Sequence, residues 1–190
     1  MQPYVNIDAV VDRVVRRHRP PRLQNGVAVD IERMLADYYD IDIARIPDLR
    51  IGNASLQGCC FPDRLLILVE AHDAPTRQRF TLAHELGHLE MHYRNTMIQP
   101  LFPVEDEAAY FRCVTHEATS EFESQSTSQR RRKERQADVF AAKFLMPLLL
   151  VRTAWRQADG NLERCAELLV VSKQAMEYRL AELELATTAL

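Results

Sequence analysis

The stretch Phe80-Thr81-Leu82-Ala83-His84-Glu85-Leu86-Gly87-His88-Leu89-Glu90-Met91 decides how this 190-residue chain is read. Its apolar residues recur at helical intervals, and His84 and His88 stand four apart, so both imidazoles leave one face of a helix a turn above each other. Two imidazoles so placed can share a Zn2+ ion, with Glu85 beside a metal-bound water. The pattern points to metal-assisted hydrolysis. A helix can also carry two half-buried histidines without any metal. Because a catalytic zinc ordinarily takes three protein ligands, the hydrolytic reading calls for a third.

The best candidate lies in Lys133-Glu134-Arg135-Gln136-Ala137-Asp138-Val139-Phe140-Ala141-Ala142-Lys143-Phe144-Leu145-Met146-Pro147, a second helical segment with apolar residues at 137, 140, 141, 144 and 145. Glu134 and Asp138 are again four apart. In a zinc site with a glutamate third ligand, the first acid binds the metal and the acid one turn later accepts the other N–H of a ligand imidazole. That assigns the metal to Glu134 and the supporting hydrogen bond to Asp138. The plain alternative is an acidic pair on a solvated helix surface.

The two segments Arg79 to His88 and Glu134 to Pro147, followed by Ala166-Glu-Leu-Leu-Val-Val-Ser172 and Ala175-Met-Glu-Tyr-Arg-Leu180, resemble the ImmA/IrrE family of zinc metallopeptidases over roughly residues 27–185. The first two motifs together are specific, whereas the third is generic. The resemblance implies an α+β fold, a small zincin-like domain with an antiparallel sheet packed on the active-site helix, followed by a C-terminal helical segment like a helix-turn-helix. It implies Zn2+ as cofactor, with Mn2+ or another divalent ion as the alternative, held by His84, His88 and Glu134, and Glu85 as catalytic base. It further implies a cytoplasmic bacterial or phage setting. The substrate would be a helix-turn-helix repressor, cut at one site to release stress-response, mobile-element or prophage genes. A non-catalytic relative that keeps the zincin shell and binds a repressor, toxin or DNA is the alternative. Two departures stand out. Glu134 follows His88 at an unusually long interval, which leaves His116 or Glu117 as alternative ligands, and Gln136 stands where many members carry a second Glu.

Composition fits a globular protein: 47% of residues are apolar and 27% charged, and the length allows one well-buried core with a small appendage. A net charge of −3 gives no general footprint for nucleic acid, so direct binding to it is not expected. The N-terminus lacks a basic region leading into an apolar stretch, and apolar runs such as Leu65 to Val69 are too short to span a bilayer. The expected location is the cytosol, with no membrane partner. Cys59, Cys60, Cys113 and Cys165 contain no Cys-x-x-Cys spacing and are expected to be reduced and partly buried.

Along the chain, residues 7–17 read as an amphipathic helix, with Arg13, Arg16 and Arg17 opposite its apolar face. A second helix is expected over 27–39, with Val27, Ile31, Met34, Leu35 and Tyr38 on one side. Strands follow at 41–46, 50–60 and 64–69, and extended substrate should pair antiparallel with whichever strand forms the sheet edge. Ala74-Pro75-Thr76 starts the motif helix, since proline is tolerated in a first turn. Residues 95–129 read as an irregular insertion with a short helix near 104–114, either a substrate-selecting lid or a surface loop. Arg130 to Lys133 reads as a solvated face. Helices at 148–157, 161–169 and 173–184 follow, with Asn161 and Ser172 as N-caps. Five cations against six carboxylates in that tail argue for a scaffold or docking module over a DNA reader.

The expected organisation is thus an N-terminal helix and linker (1–26), a catalytic domain (27–147) with the insertion 95–129, and a helical subdomain (148–190). Candidate donors for a second oxyanion contact are Tyr93, His92, Tyr110 and His116. Oligomeric state is not legible.

Overall fold

The structure, a computed structural model, describes residues 5–24, 26–51, 54–93 and 124–185. The expected short helix at 104–114, the alternative ligands His116 and Glu117, Tyr110 and Cys113 lie outside the described residues.

Helix α1 (Ile7–His18) is opened by Asn6, whose side chain accepts the Ala9 N–H, and it carries Arg16, Arg17 and His18 in its last turn, where cations suit the negative end of the dipole. Helix α2 (Ile31–Tyr39) begins later than its apolar pattern suggests. Asp30 caps it by accepting the Arg33 N–H, and Val29 instead bridges to Arg22 in extended backbone. Tyr38, expected on the buried side, is 46% exposed.

Strands β1 (Asp42–Ile46), β2 (Arg50–Ile51), β3 (Ala54–Ser55), β4 (Gly58–Phe61) and β5 (Leu66–Glu70) follow. The stretch expected as one strand over 50–60 is therefore three short ones. β2 and β3 pair with each other, while the main sheet has the order β1-β5-β4. The fold is α+β, as expected, with this sheet against the motif helix, but the sheet is mixed rather than antiparallel. β4 and β5 are antiparallel because a single 3-10 turn at Pro62–Arg64 joins them; β1 is parallel to β5 because the β2–β3 ribbon and β4 intervene.

Helix α3 (Pro75–His88) starts with proline in its first turn after Ala74. It passes directly into a π-helical turn, Leu89–Tyr93. Helix α4 (Ser124–Leu145) lies against α3 and begins well before the expected boundary, so residues 124–129 are helical rather than part of an irregular insertion. Its packed half, with Ala137, Phe140, Ala141 and Phe144 fully buried, supplies a nucleus onto which polar residues add cheaply toward the N-terminus. Arg131, Arg132 and Lys133 are exposed, in keeping with a solvated face.

Helices α5 (Leu148–Gln157), α6 (Leu162–Leu169) and α7 (Lys173–Glu182) close the fold, with Asn161 and Ser172 capping the last two through hydrogen bonds to Arg164 N and Ala175 N. One apolar cluster runs from Val10 and Val14 of α1 through Leu82 and Phe140 to Leu169 and Met176. Arg79 of α3 is buried within it: Nε donates to the Val170 carbonyl at 3.2 Å and Nη2 to the Val29 carbonyl at 2.9 Å. Two tight contacts set the distances around α3. A Cβ on Gly87 would lie 3.0 Å from the Phe140 ring and 3.3 Å from Ala137 Cα, so glycine lets α4 approach α3. A Cβ on Gly58 would overlap the Thr81 methyl and lie 2.9 Å from the Leu68 carbonyl oxygen, so glycine seats β4 on α3.

Candidate metal centre

α3 presents the two imidazoles of the motif side by side, with His84 Nε2 and His88 Nε2 3.0 Å apart. From α4, Glu134 Oε2 comes within 3.2 Å of His84 Nε2 and 3.5 Å of His88 Nε2. Three ligands at about 2.0–2.1 Å from a tetrahedral cation stand roughly 3.3 Å from one another, so this triangle has the size a zinc ion requires. Two ring nitrogens this close also cannot both direct a proton at the other. Two imidazoles and one carboxylate are the donor set of a hydrolytic zinc, and among the described residues these three form a group that could hold a metal ion. The side chain of His88 is 7% exposed and that of Glu134 35%, so the triangle is buried on one side and open on the other.

Asp138 lies one turn beyond Glu134, and its Oδ1 is 2.9 Å from His84 Nδ1. Donation from Nδ1–H to this carboxylate would leave Nε2, once it gives up its own proton to a metal ion, with its lone pair facing the triangle. Burial disfavours a charged His84, but hydrogen bonds with Asp138 and Glu134 and the charges of Glu85 and Asp138 outweigh it, carrying the pKa up to about 10. Burial likewise works against an ionised Glu134, yet the His84 and His88 rings bring its pKa down to about 2. The pocket is organised around one positive charge next to Glu134.

Glu85 points away from water: the residue is 5% exposed. Its pKa is raised, first by burial and then by the Glu134 charge, against the opposing pull of His88 and His84. A carboxylate so placed binds a proton more readily than a solvated one.

β4 is an edge of the main sheet, hydrogen-bonded only to β5 among the described strands, and it is the edge that Gly58 seats on α3 beside the motif. Cys59 and Cys60 belong to this strand; burial raises both thiol pKa values, Cys59 to about 12, and the Glu85 charge adds to each effect. They are free thiols, as is Cys165. Neither spacing nor composition marked β4 as the strand at the site.

Of the oxyanion candidates, His92 and Tyr93 fall in the π-helical turn, with ring centroids 5.2 and 6.1 Å from that of His88. Burial and the nearby His88 and Lys133 charges lower the His92 pKa to about 4, although a hydrogen bond with the Lys133 backbone opposes this. Its Nε2 is buried without a hydrogen-bond partner. The ring is therefore neutral, with one nitrogen donating to Lys133 and the other carrying a lone pair, an arrangement unsuited to donating to an oxyanion. Tyr93 stays a candidate on position.

The site holds one residue that sequence reasoning passed over. Glu90 is buried beneath the turn, bonded to Arg13 of α1 and Tyr39 of α2. Its signal was present: Leu82, Leu86 and Glu90 share one stripe at four-residue intervals, and an acid in a core stripe needs partners.

Comparisons with known proteins bear on the family and the fold. No curated protein matches the chain by sequence. Among solved structures, a Mycobacterium tuberculosis transcriptional regulator superposes with a TM-score of 0.60 at 14% identity, over 94% of this chain and 47% of that one. The likeness is one of fold, and this chain spans about half the length of that protein. No helix among the described residues is long and apolar enough to cross a membrane. The profile of a peptidase family, described as the IrrE N-terminal-like domain, matches residues 36–181, a span that contains both motif helices, α5, α6 and all but the last residue of α7. The chain belongs to the IrrE N-terminal-like peptidase family.

Proposed function

We propose that the chain is a cytoplasmic zinc-dependent endopeptidase that cuts a helix-turn-helix transcriptional repressor at one site and so relieves repression. The observation that carries the enzymatic part is the triangle of His84 Nε2, His88 Nε2 and Glu134 Oε2, with edges of 3.0, 3.2 and 3.5 Å, beside the buried carboxyl of Glu85. His84, His88 and Glu134 are the ligands, Asp138 orients the His84 ring, and Glu85 is the base. A bound divalent ion supplies an acidified water and polarises the scissile carbonyl. Glu85, beside the three ligands, would accept a proton from the attacking water and would hand it to the departing amine nitrogen as the C–N bond breaks.

The outer edge of β4 holds the substrate by main-chain pairing, which places an extended segment beside α3. An extended, flexible linker in a repressor meets this demand better than a folded surface. The fold neighbour is a transcriptional regulator, which supports a regulatory setting, as does the family resemblance.

The test is to incubate zinc-loaded protein with the helix-turn-helix repressor encoded beside it and to look for a single new pair of fragments. The expected outcome is one cut, absent with Glu85→Gln. Bound zinc without cleavage of any neighbouring repressor or of unstructured peptides would overturn the enzymatic reading in favour of a binding module.

A further inference from the structure

His88 is the last α-helical residue of α3, and the turn after it is a π-helical one, Leu89–Tyr93. The hydrogen-bond register of the helix changes at this junction, so the direction of the ligand on it depends on what holds the π-helical turn beyond. Two residues beyond His88, Glu90 supplies the anchor. Its side chain is 1% exposed and turns toward α1 and α2. Oε1 accepts from Tyr39 Oη at 2.9 Å, and Oε2 accepts from Arg13 Nη2 at 3.2 Å, while that same nitrogen lies 3.5 Å from the Glu90 carbonyl oxygen.

A leucine at position 90 would continue the stripe of Leu82 and Leu86 with no charge to desolvate. A buried carboxylate held by a guanidinium and a phenol gives little net stability over such a residue, but it fixes direction, because both partners must be met at once. The π-helical turn is the backbone form that accommodates this: the extra residue per turn lets residue 90 aim at α1 and α2 while His88 stays aimed at α4.

We propose that Glu90 is a positioning residue of the metal centre: tied to Arg13 and Tyr39, it locks the turn after His88 so that His88 Nε2 meets His84 Nε2 and Glu134 Oε2. The inference rests on the ligand assignment above and extends it. It makes α1, which precedes the family-matched span 36–181, a working part of the site.

The test uses the full chain, stripped of metal and titrated with cobalt(II), whose visible absorption reports ligand geometry. The variants are Glu90→Gln, Arg13→Met, Tyr39→Phe and the Arg13→Met/Tyr39→Phe double. Arg16→Met is the control, since among the described residues Arg16 pairs with the exposed Asp12 on the same helix. Urea unfolding of each metal-free protein is measured alongside. Glu90→Gln and the double variant should bind cobalt on the order of tenfold more weakly, at the low end of the cost of losing a group that orients a ligand, with an altered absorption band. The two single partner variants should show smaller losses that couple in the double, and Arg16→Met should match the unaltered protein. If Glu90→Gln fails to fold, the half-exposed Arg13 and the isosteric Tyr39→Phe carry the comparison. Unchanged cobalt affinity and spectrum, with only the urea midpoint lowered, would overturn the proposal, because a purely structural role predicts that pattern. Absence of cobalt uptake by the unaltered protein would remove the metal-centre reading and this inference with it.

Discussion

Asp138 Oδ1 stands 2.9 Å from His84 Nδ1, on the opposite side of the ring from the nitrogen that faces His88 and Glu134. The two residues are far apart in sequence, yet each lies one turn from a second member of the cluster. Two short helical patterns thereby interlock ring by ring.

Replacing Asp138 with Ala should weaken zinc binding by roughly 10–100-fold, because the His84 ring loses both its tautomer and its orientation. Asp138→Asn, which keeps an acceptor oxygen, should lose less. Competition against a chromophoric chelator measures both. Equal affinity in all three proteins would show that the hydrogen bond is incidental.

Glu85→Gln should leave zinc stoichiometry unchanged and reduce cleavage by about 10²–10⁴-fold, the usual worth of a positioned general base. Metal analysis and a gel-based cleavage assay on the same preparation decide it. A coincident loss of zinc would mean that Glu85 supports the ligands rather than the reaction.

Gly58→Ala should lower stability by about 1–3 kcal/mol, the range for overfilling a packed contact. Thr81→Ser in addition should recover only part of that, because the Leu68 carbonyl oxygen, 2.9 Å from the added carbon, belongs to the backbone of the central strand and cannot step aside. Urea midpoints of the single and double variants report the outcome. Full recovery would place the whole conflict on the threonine methyl.

The metal-free protein should be most stable near pH 6.5. His84, with its folded pKa raised to about 10, contributes stability that is complete below about 6.5 and lost as pH rises toward 10. His92, lowered to about 4, contributes stability that is complete above about 6.5 and lost as pH falls through 4. Glu134, lowered to about 2, adds to the acid limb below its ordinary range near 4.5. Urea midpoints in the presence of a chelator should fall on both sides of the optimum, and His92→Phe should flatten the upper part of the acid limb. Zinc affinity should weaken as pH falls, since His84 must release its proton to bind. A flat profile from pH 5 to 9 would contradict these assignments.

What was legible in the sequence was what repeats along a single helix. His84 with His88, and Glu134 with Asp138, each announce themselves by a four-residue interval, and Asn161 and Ser172 by their position before an apolar run. The direction of β1 was not legible, because an alternating strand carries no mark of whether its neighbour runs with it or against it. Nor was the early start of α4, where the buried turn at Phe140 and Phe144 draws polar residues into helix against their own composition. Glu90 escaped for a related reason: its partners sit 51 and 77 positions away, and no local period connects them. That Glu134 reaches the two histidines depends on Gly87, whose missing side chain admits Phe140.

Arg79 shares a helix with both imidazoles, and its buried guanidinium donates to main-chain oxygens of residues 29 and 170, with the charges of Asp30 and Glu32 near it. Cutting the chain after Pro147 would take away the Val170 carbonyl and leave Arg79, on the same helix as His84, with only one of those two acceptors. The closing helices therefore cannot be traded like a cassette. The apolar cluster that runs from Val10 to Met176 ties the first helix and the closing ones to the pair that carries His84, His88 and Glu134.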